Sequence, residues 1–341
     1  MQFTITAVVV SYNREALLQE CLDGIAAQTR PVDRVVVVDN ASTDHALAVA
    51  RAHPLIADAT PSAAMVVELP RNVGGAGGFC AGMAEALAMM EEHSHDTSDD
   101  SPSYHYIWLM DDDTVPTPTA LEALLEAVDC CIDANHALPA VLGSKAVWVD
   151  GREHLMNKPR ERTWIRKGVR HLPDAGTPDE PAYQVRSLSF VSCLINAGAV
   201  LHQHKLPRSA YFLWNDDYEF TTALLKHGIG YYVPSSQVVH KTRVFGSSDA
   251  DPGKRFYNEV RNKLWLLRFS RDNFSAAELV EFLLKTVRRW VLTWMRAKDR
   301  ALIEDCLRRG WHDGIRTNPM SNADVFRDVP NVAKAITAVE G

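Results

Sequence analysis

The stretch RVVVVDNASTD, residues 34–44, is a run of valine that stops abruptly in polar residues. Four consecutive β-branched side chains point alternately to both faces of a strand, so both faces must be covered, as in a parallel sheet packed between helices. The same grammar surrounds it. Ile5–Val10 ends at Ser11-Tyr12-Asn13-Arg14, after which Leu17, Leu18, Cys21, Leu22 and Ile25 recur at helical spacing. Met65–Leu69 leads into RNVGGAGGF (71–79) and then an alanine-rich segment, predicting a third strand and a helix over Ala81–Met90. A polar, acidic stretch from Glu91 to Ser103 is too poor in apolar residues to be core. The run Tyr106–Met110 that follows ends in Asp111-Asp112-Asp113. In open parallel sheets ligands bind beyond the carboxyl ends of the strands, so SYNR, VDNASTD, RNVGG and DDD are expected to converge on one crevice.

The bulk properties fit a globular enzyme. With 341 residues, 46% hydrophobic and 23% charged, the chain can bury one large core or two moderate ones. A net charge of -7 argues against a general nucleic-acid binder. The six cysteines show neither CxxC pairing nor metal-finger spacing and read as reduced thiols of a cytoplasmic protein. The N-terminus reads as a first strand, not a signal peptide, and no apolar run approaches the ~20 residues that span a bilayer. A Pro/Gly-rich, charged segment from Asp150 to Pro181 suggests a soft boundary, and the chain from Asn273 onward reads as helical.

Three carboxylates in a row after a buried strand repel one another unless a cation sits among them, and a hard divalent ion fits. Along an extended segment Asp111 and Asp113 can share one side; the other reading is an acidic turn ahead of a helix capped by Thr117 or Thr119. Gly74, Gly75, Gly77 and Gly78 either let backbone approach a phosphate or serve as turn and packing devices. Asp39 and Asp44 read as strand terminator and helix cap, or as ligand contacts. In WNDDYEF (214–220) an acidic pair lies beside aromatic groups. That suits sugar chemistry, because an indole packs on sugar C–H groups while a carboxylate takes a hydroxyl proton; the alternative is acids favoured by a helix N-terminus. His240 follows Gln237–Val239 as a metal ligand or as a structural histidine.

Taken in order, VVVSYNR, VVVVDNASTD, RNVGGAGGF, WLMDDD, WNDDYEF and VVHKT resemble the inverting glycosyltransferases of family two over most of the chain. NVGGAGGFCAGM, the triple aspartate and DPGKRFYNEVRN resemble its bacterial galactofuranosyl- and rhamnosyltransferase branch. The resemblance implies an α/β GT-A fold: a Rossmann-like, mostly parallel nucleotide-binding sheet with a C-terminal helical region. It divides into a donor half (1–150), an acceptor and catalytic half of the same domain (151–250) and a mainly helical region (251–341). It further implies UDP-galactofuranose as donor, with dTDP-rhamnose as the alternative. Mn²⁺ or Mg²⁺ is the implied cofactor, and the implied acceptor is a polyprenyl-diphosphate-linked or polysaccharide glycan at the cytoplasmic side of a membrane.

Residue by residue, the resemblance places Arg14 and Asp39 on the uracil ring, Asn72 on the rest of the nucleotide, and Asp112 and Arg261 in the donor-binding set. Asp111, Asp113 and His240 become the metal ligands. Asp217 becomes the base, with Asp216 able to exchange roles, and Trp214 contacts the acceptor. A nucleotidyltransferase would carry a glycine-rich loop where this chain has SYNRE, and a non-catalytic sugar-binding module would have no need of intact DDD and WNDDYEF. Finally, KTVRRWVLTWMRAKDR (285–300) sets six basic residues against one acidic residue. Its Trp290, Val291, Trp294 and Met295 predict either a helix lying on an anionic membrane or a packing helix with a solvated basic face.

Overall fold

A computed structural model describes residues 2–94, 103–245 and 252–341. Asp251 and most of the acidic stretch Glu91–Ser103 lie outside the described residues. The strands are β1 (Gln2–Ser11), β2 (Arg34–Asp39), β3 (Ala64–Glu68), β4 (Ser103–Asp111), β5 (Thr114–Pro116), β6 (Val141–Val147), β7 (His171–Leu172), β8 (Ala182–Gln184), β9 (Cys193–Asn196) and β10 (Gly230–His240). The helices are α1 (Glu15–Ala26), α2 (Ala46–Ala52), α3 (Pro54–Ala57), α4 (Gly74–Ser94), α5 (Ala120–Asn135), α6 (Ala197–Gln203), α7 (Asp216–His227), α8 (Phe256–Phe269), α9 (Ala276–Arg296), α10 (Arg300–Arg316), α11 (Asn322–Val325) and α12 (Pro330–Glu340).

One mixed sheet runs in the order β3-β2-β1-β4-β9-β6-β10-β8-β7, with β5 added to β10. The β3-β2-β1-β4 half is parallel throughout, and β9 enters antiparallel between β4 and β6. Valine alternation explains the layers. Val36 and Val38 belong to the core shared with α4 and α12, whereas Val35 and Val37 belong to the core on the other face, shared with α1 and α5, and none of the four is more than 2% exposed. Each buried valine contributes roughly 1.5–3 kcal/mol, so the strand is held from both sides. The pairing also fixes the strand ends: Ser11 is opposite Asp39, Asp39 opposite Glu68, and Val10 opposite Asp111. The polar segments therefore leave the sheet along a single edge.

Two local expectations are corrected. The helix after β3 begins at Gly74, well before Ala81, so the glycines lie in its first turns. A Cβ on Gly78 would meet Val10 at 2.4 Å, and one on Gly82 would meet Val8 at 2.4 Å. Glycine weakens a helix by about 1 kcal/mol relative to alanine, but here it lets the helix lie directly on the valine sheet. Neither threonine caps α5 with its side chain: Thr119 stands at the N-cap without a cap hydrogen bond, and Thr117 donates to the Gln237 carbonyl. The residues after the triple aspartate instead form β5, which pairs with β10 and sets Thr114 opposite His240.

The C-terminal helices pack back on this body. Val332, Ile336 and Val339 of α12 join the α4 core, and Gly310 and Gly314 of α10 let it approach Val260 and Leu264 of α8. No helix among the described residues is long and apolar enough to cross a membrane.

Candidate active site

The acidic cluster at the end of β4 is flanked by Arg14 on one side and His240 on the other. Asp112 is buried and accepts from the Ser11 hydroxyl (3.1 Å), the Tyr12 amide (3.0 Å) and Arg14 Nη1 (3.0 Å). The same Arg14 nitrogen reaches Asp113 Oδ2 at 2.5 Å. On the other side His240 Nε2 lies 3.3 Å from Asp113 Oδ1, in ion-pair range but not aligned as a hydrogen bond, and that oxygen is buried without a hydrogen-bond partner. His240 Nδ1 meets Asn157 Oδ1 at 3.0 Å. Burial pushes the Asp113 carboxyl up, but His240 and Arg14 outweigh it and hold it below the ordinary carboxylate range. Burial lifts Asp112 to about 6 despite Arg14. Asp111 is raised well above the ordinary value by burial and then by Asp113 and Asp112, a state that a bound cation would reverse.

The neighbouring strand ends form the second wall. Asp39 is buried at the end of β2; Oδ2 accepts from the Ser42 amide at 3.1 Å, and Oδ1 has no hydrogen-bond partner. Asn72 Oδ1 accepts from the Gly74 amide at 2.7 Å. Sequence reasoning passed over two residues that build this wall. Asn40 accepts from the Val73 amide (2.9 Å) and donates to the Gly74 carbonyl (3.0 Å), tying the β2 loop to the start of α4. Asn13, at φ 53°, accepts from the Thr43 amide at 2.6 Å and joins the first two loops. The signal was present: each is an asparagine just past a strand end, where such side chains tolerate left-handed backbone and bond locally. Asp44 accepts from the amides of Glu15 and Ala46 and so anchors the starts of α1 and α2.

The glycines do not form an open cradle. Gly74, at φ +74°, has the Phe212 carbonyl 1.9 Å from where a Cβ would lie, and Gly77 and Gly78 face Val73 and Val10; Gly75 alone of the four faces open space.

Opposite lies the acidic pair, reached through a strained turn. Phe212, Trp214 and Asn215 have φ of 64°, 69° and 66°, and the Leu213 amide donates to the Tyr211 carbonyl at 2.7 Å, closing a γ-turn about Phe212. Such left-handed residues cost of order 1–3 kcal/mol each. Asp216 and Asp217 then open α7. Burial, followed by the charge of Asp217, lifts Asp216 to about 8. Asp216 is also near enough to Asp111 for its charge to help raise that carboxyl. Glu219, the third acid of the motif, is buried against Lys205, Arg208 and Ser270.

Trp214 and Asp217 line a cavity of about 690 Å³ whose far wall is α9, with Lys285, Arg288, Arg289 and Arg296. Arg261 faces the backbone of the turn before the acidic pair. It donates to the carbonyls of Ala210 and Tyr211 and stacks 4.4 Å from the centre of the Trp265 ring. Among the described residues no three His, Cys, Asp or Glu side chains converge as a metal cage; Arg14 stands between two of the aspartates.

Residues 6–169 match the family model described as "Glycosyl transferase family 2". The chain carries a family 2 glycosyl transferase domain. It is 28% identical over 279 residues to galactofuranosyltransferase GlfT1 of Mycobacterium tuberculosis, covering 78% of this chain and 83% of that protein. TarS 1-349 of S. aureus, solved in complex with UDP-GlcNAc, superposes with a TM-score of 0.56 at 18% identity, covering 98% of this chain and 88% of that one. The longer TarS structure matches all of this chain with a TM-score of 0.53 at 17% identity, and the match spans 55% of its length. The GT-A fold expected from the motifs is thus the fold observed, and the chain is a glycosyltransferase.

Proposed function

We propose that this glycosyltransferase moves galactofuranose from UDP-galactofuranose, with inversion, onto a hydroxyl of a lipid-linked or polysaccharide glycan. The observation that carries the reading is the closeness of Asp216 to Asp111, which brings the acidic pair near the β4 cluster, in a chain similar to GlfT1 over 78% of its length. The donor half is 1–150 and the acceptor half 151–250, with the helical region 251–341 closing the acceptor cavity. Asp39, with an unpaired carboxylate oxygen, suits a ring N–H of the nucleotide base, and Asn72 and Arg14 stand beside it on the same edge.

The side chains fit a divalent metal: Asp113 has an orphaned buried oxygen, an imidazole nitrogen lies beside it, and carboxylate with imidazole is a donor set that suits Mn²⁺. Asp111, Asp113 and His240 would hold the ion, which when bound neutralises charge developing on the departing diphosphate. Arg14 pairs with Asp112 and Asp113 on the other side of the cluster.

Asp217 takes the proton of the attacking hydroxyl, since Asp216 holds its own proton to about 8. Trp214 offers its ring to the acceptor sugar. The enzyme works at the cytoplasmic face of the membrane in this reading, supported by an exposed apolar stripe on α9: Val280, Leu284, Val287, Val291, Trp294 and Met295. Trp290, expected in that stripe, packs instead edge-on against Trp311, and Arg289 lines the cavity beside Glu259.

The test is UDP release from UDP-galactofuranose with Mn²⁺ and a glycan acceptor, run beside dTDP-rhamnose and UDP-GlcNAc. Release from UDP-galactofuranose alone supports the reading, and preference for dTDP-rhamnose replaces the sugar while keeping the mechanism.

A further inference from the structure

The turn that delivers the acidic pair is conformationally costly, and its one internal bond, from the Leu213 amide to the Tyr211 carbonyl, leaves most of its carbonyls needing other donors. Those donors come from α8, some fifty residues later. The Asn262 side chain is fully buried, and its Nδ2 meets three carbonyl oxygens of the turn: Tyr211 at 3.0 Å, Leu213 at 3.0 Å and Trp214 at 2.8 Å. Its Oδ1 accepts from Arg261 Nε at 3.1 Å, and Arg261 Nη2 donates to Ala210 and Tyr211 carbonyls at 3.1 and 3.0 Å. Backbone reversals at Phe212 and Trp214 turn successive carbonyls inward, where they would repel one another in a dry site without a common donor. From the other side the Phe212 carbonyl fills the space of a Gly74 Cβ and accepts from the Ala76 amide at 3.3 Å, so the turn is also tied to the start of α4.

We infer that Asn262 is a positioning residue for the reaction. Its amide, braced by Arg261, locks the Phe212–Asn215 turn so that Asp216 and Asp217 face the donor edge at a fixed distance. The inference rests on the reading of that pair as the group that handles the acceptor proton. It accounts for Arg261 and Asn262 of the YNEVRN segment without placing either on a ligand. A side chain that only filled space could be any small polar group; this one must present N–H to three oxygens.

Asn262→Asp keeps the shape and replaces the donor by a carboxylate facing those oxygens. Turnover is expected to fall by about 10²-fold, the scale of a ~1 Å misplacement of a reacting group, while the donor KM and the thermal shift produced by UDP stay within about twofold. Should that variant fail to fold, Asn262→Ser, which leaves one hydroxyl donor, and Arg261→Met, which removes the brace, are each expected to lower kcat about tenfold at unchanged donor KM. Asp216→Asn and Asp217→Asn are measured alongside. If Asp217→Asn is inactive but the Asn262 and Arg261 variants keep wild-type kcat, the positioning role is overturned and the base assignment stands. A parallel loss of kcat and of UDP binding in those variants marks a general structural role and also overturns it. If both aspartate variants keep wild-type turnover, the base reading itself fails and takes the positioning role with it.

Discussion

The donor edge and the acidic pair are built by opposite means. At the donor edge, parallel strands place Ser11 opposite Asp39 and Asp111 opposite Val10, and the polar residues begin where the hydrophobic runs stop. At the acidic pair no strand points the way; a turn with three left-handed residues is bent into place and held by side chains from a distant helix. A site half of which is topological and half of which is clamped should respond unevenly to mutation. The first half should fail through lost ligands or a disturbed sheet, and the second through lost alignment.

The largest effect is expected at the donor edge. Asp113→Ala removes the carboxylate that faces both Arg14 and His240, and transfer should fall below detection, as it should for the wild type in EDTA. Full activity in EDTA would remove the metal from the account. Next comes Gly78→Ala, whose added methyl would meet Val10 at 2.4 Å in the packed face between α4 and the sheet. Overpacking of that kind costs roughly 1–3 kcal/mol, read as a lower melting temperature with unfolding still cooperative. An unchanged melting temperature would show that α4 can lift off the sheet freely.

The acidic pair gives a smaller, pH-dependent signature. Because Asp216 holds its proton to about 8, against an ordinary 3.8, the folded state binds a proton that the unfolded state releases between those values. Stability therefore falls as pH rises from about 4 to about 8, and Asp216→Asn should flatten that slope. In metal-free buffer the variant should gain melting temperature on the wild type between pH 5 and 8, at roughly 1–2 °C for each kcal/mol in a chain of this length. Parallel curves would place the titration elsewhere.

The smallest effect concerns α9. Val287→Glu and Val291→Glu, both on the exposed stripe, should reduce sedimentation with anionic liposomes at low salt while leaving hydrolysis of the donor in solution within about twofold. Arg289, turned towards the cavity, should matter for acceptor use more than for lipid binding.

The same contrast explains what could be read from the sequence. The parallel strands β1 to β4 and the gathering of their polar ends along one edge follow from hydrophobic runs and the residues that end them. The start of α4 at Gly74 did not, because helix propensity disfavours four glycines and only the closeness of the valine sheet reverses that preference. Arg261 was placed in the donor-binding set by the resemblance of its segment; its partners in the structure include backbone carbonyls, which leave no trace in a pattern of side chains. Similarly, the apolar face of α9 was legible as a stripe, but which of Trp290 and Arg289 turned inward depended on α10 and α8 packing beside it.

The most direct test of the account is Asp217→Asn measured for binding and chemistry together. UDP-galactofuranose should raise the melting temperature of the variant as it does that of the wild type in Mn²⁺, while turnover drops by roughly 10²–10⁴-fold, the usual contribution of a general base. Near-normal turnover in Asp217→Asn, or loss of donor binding with it, would contradict the division of the site into a donor edge and a clamped catalytic pair.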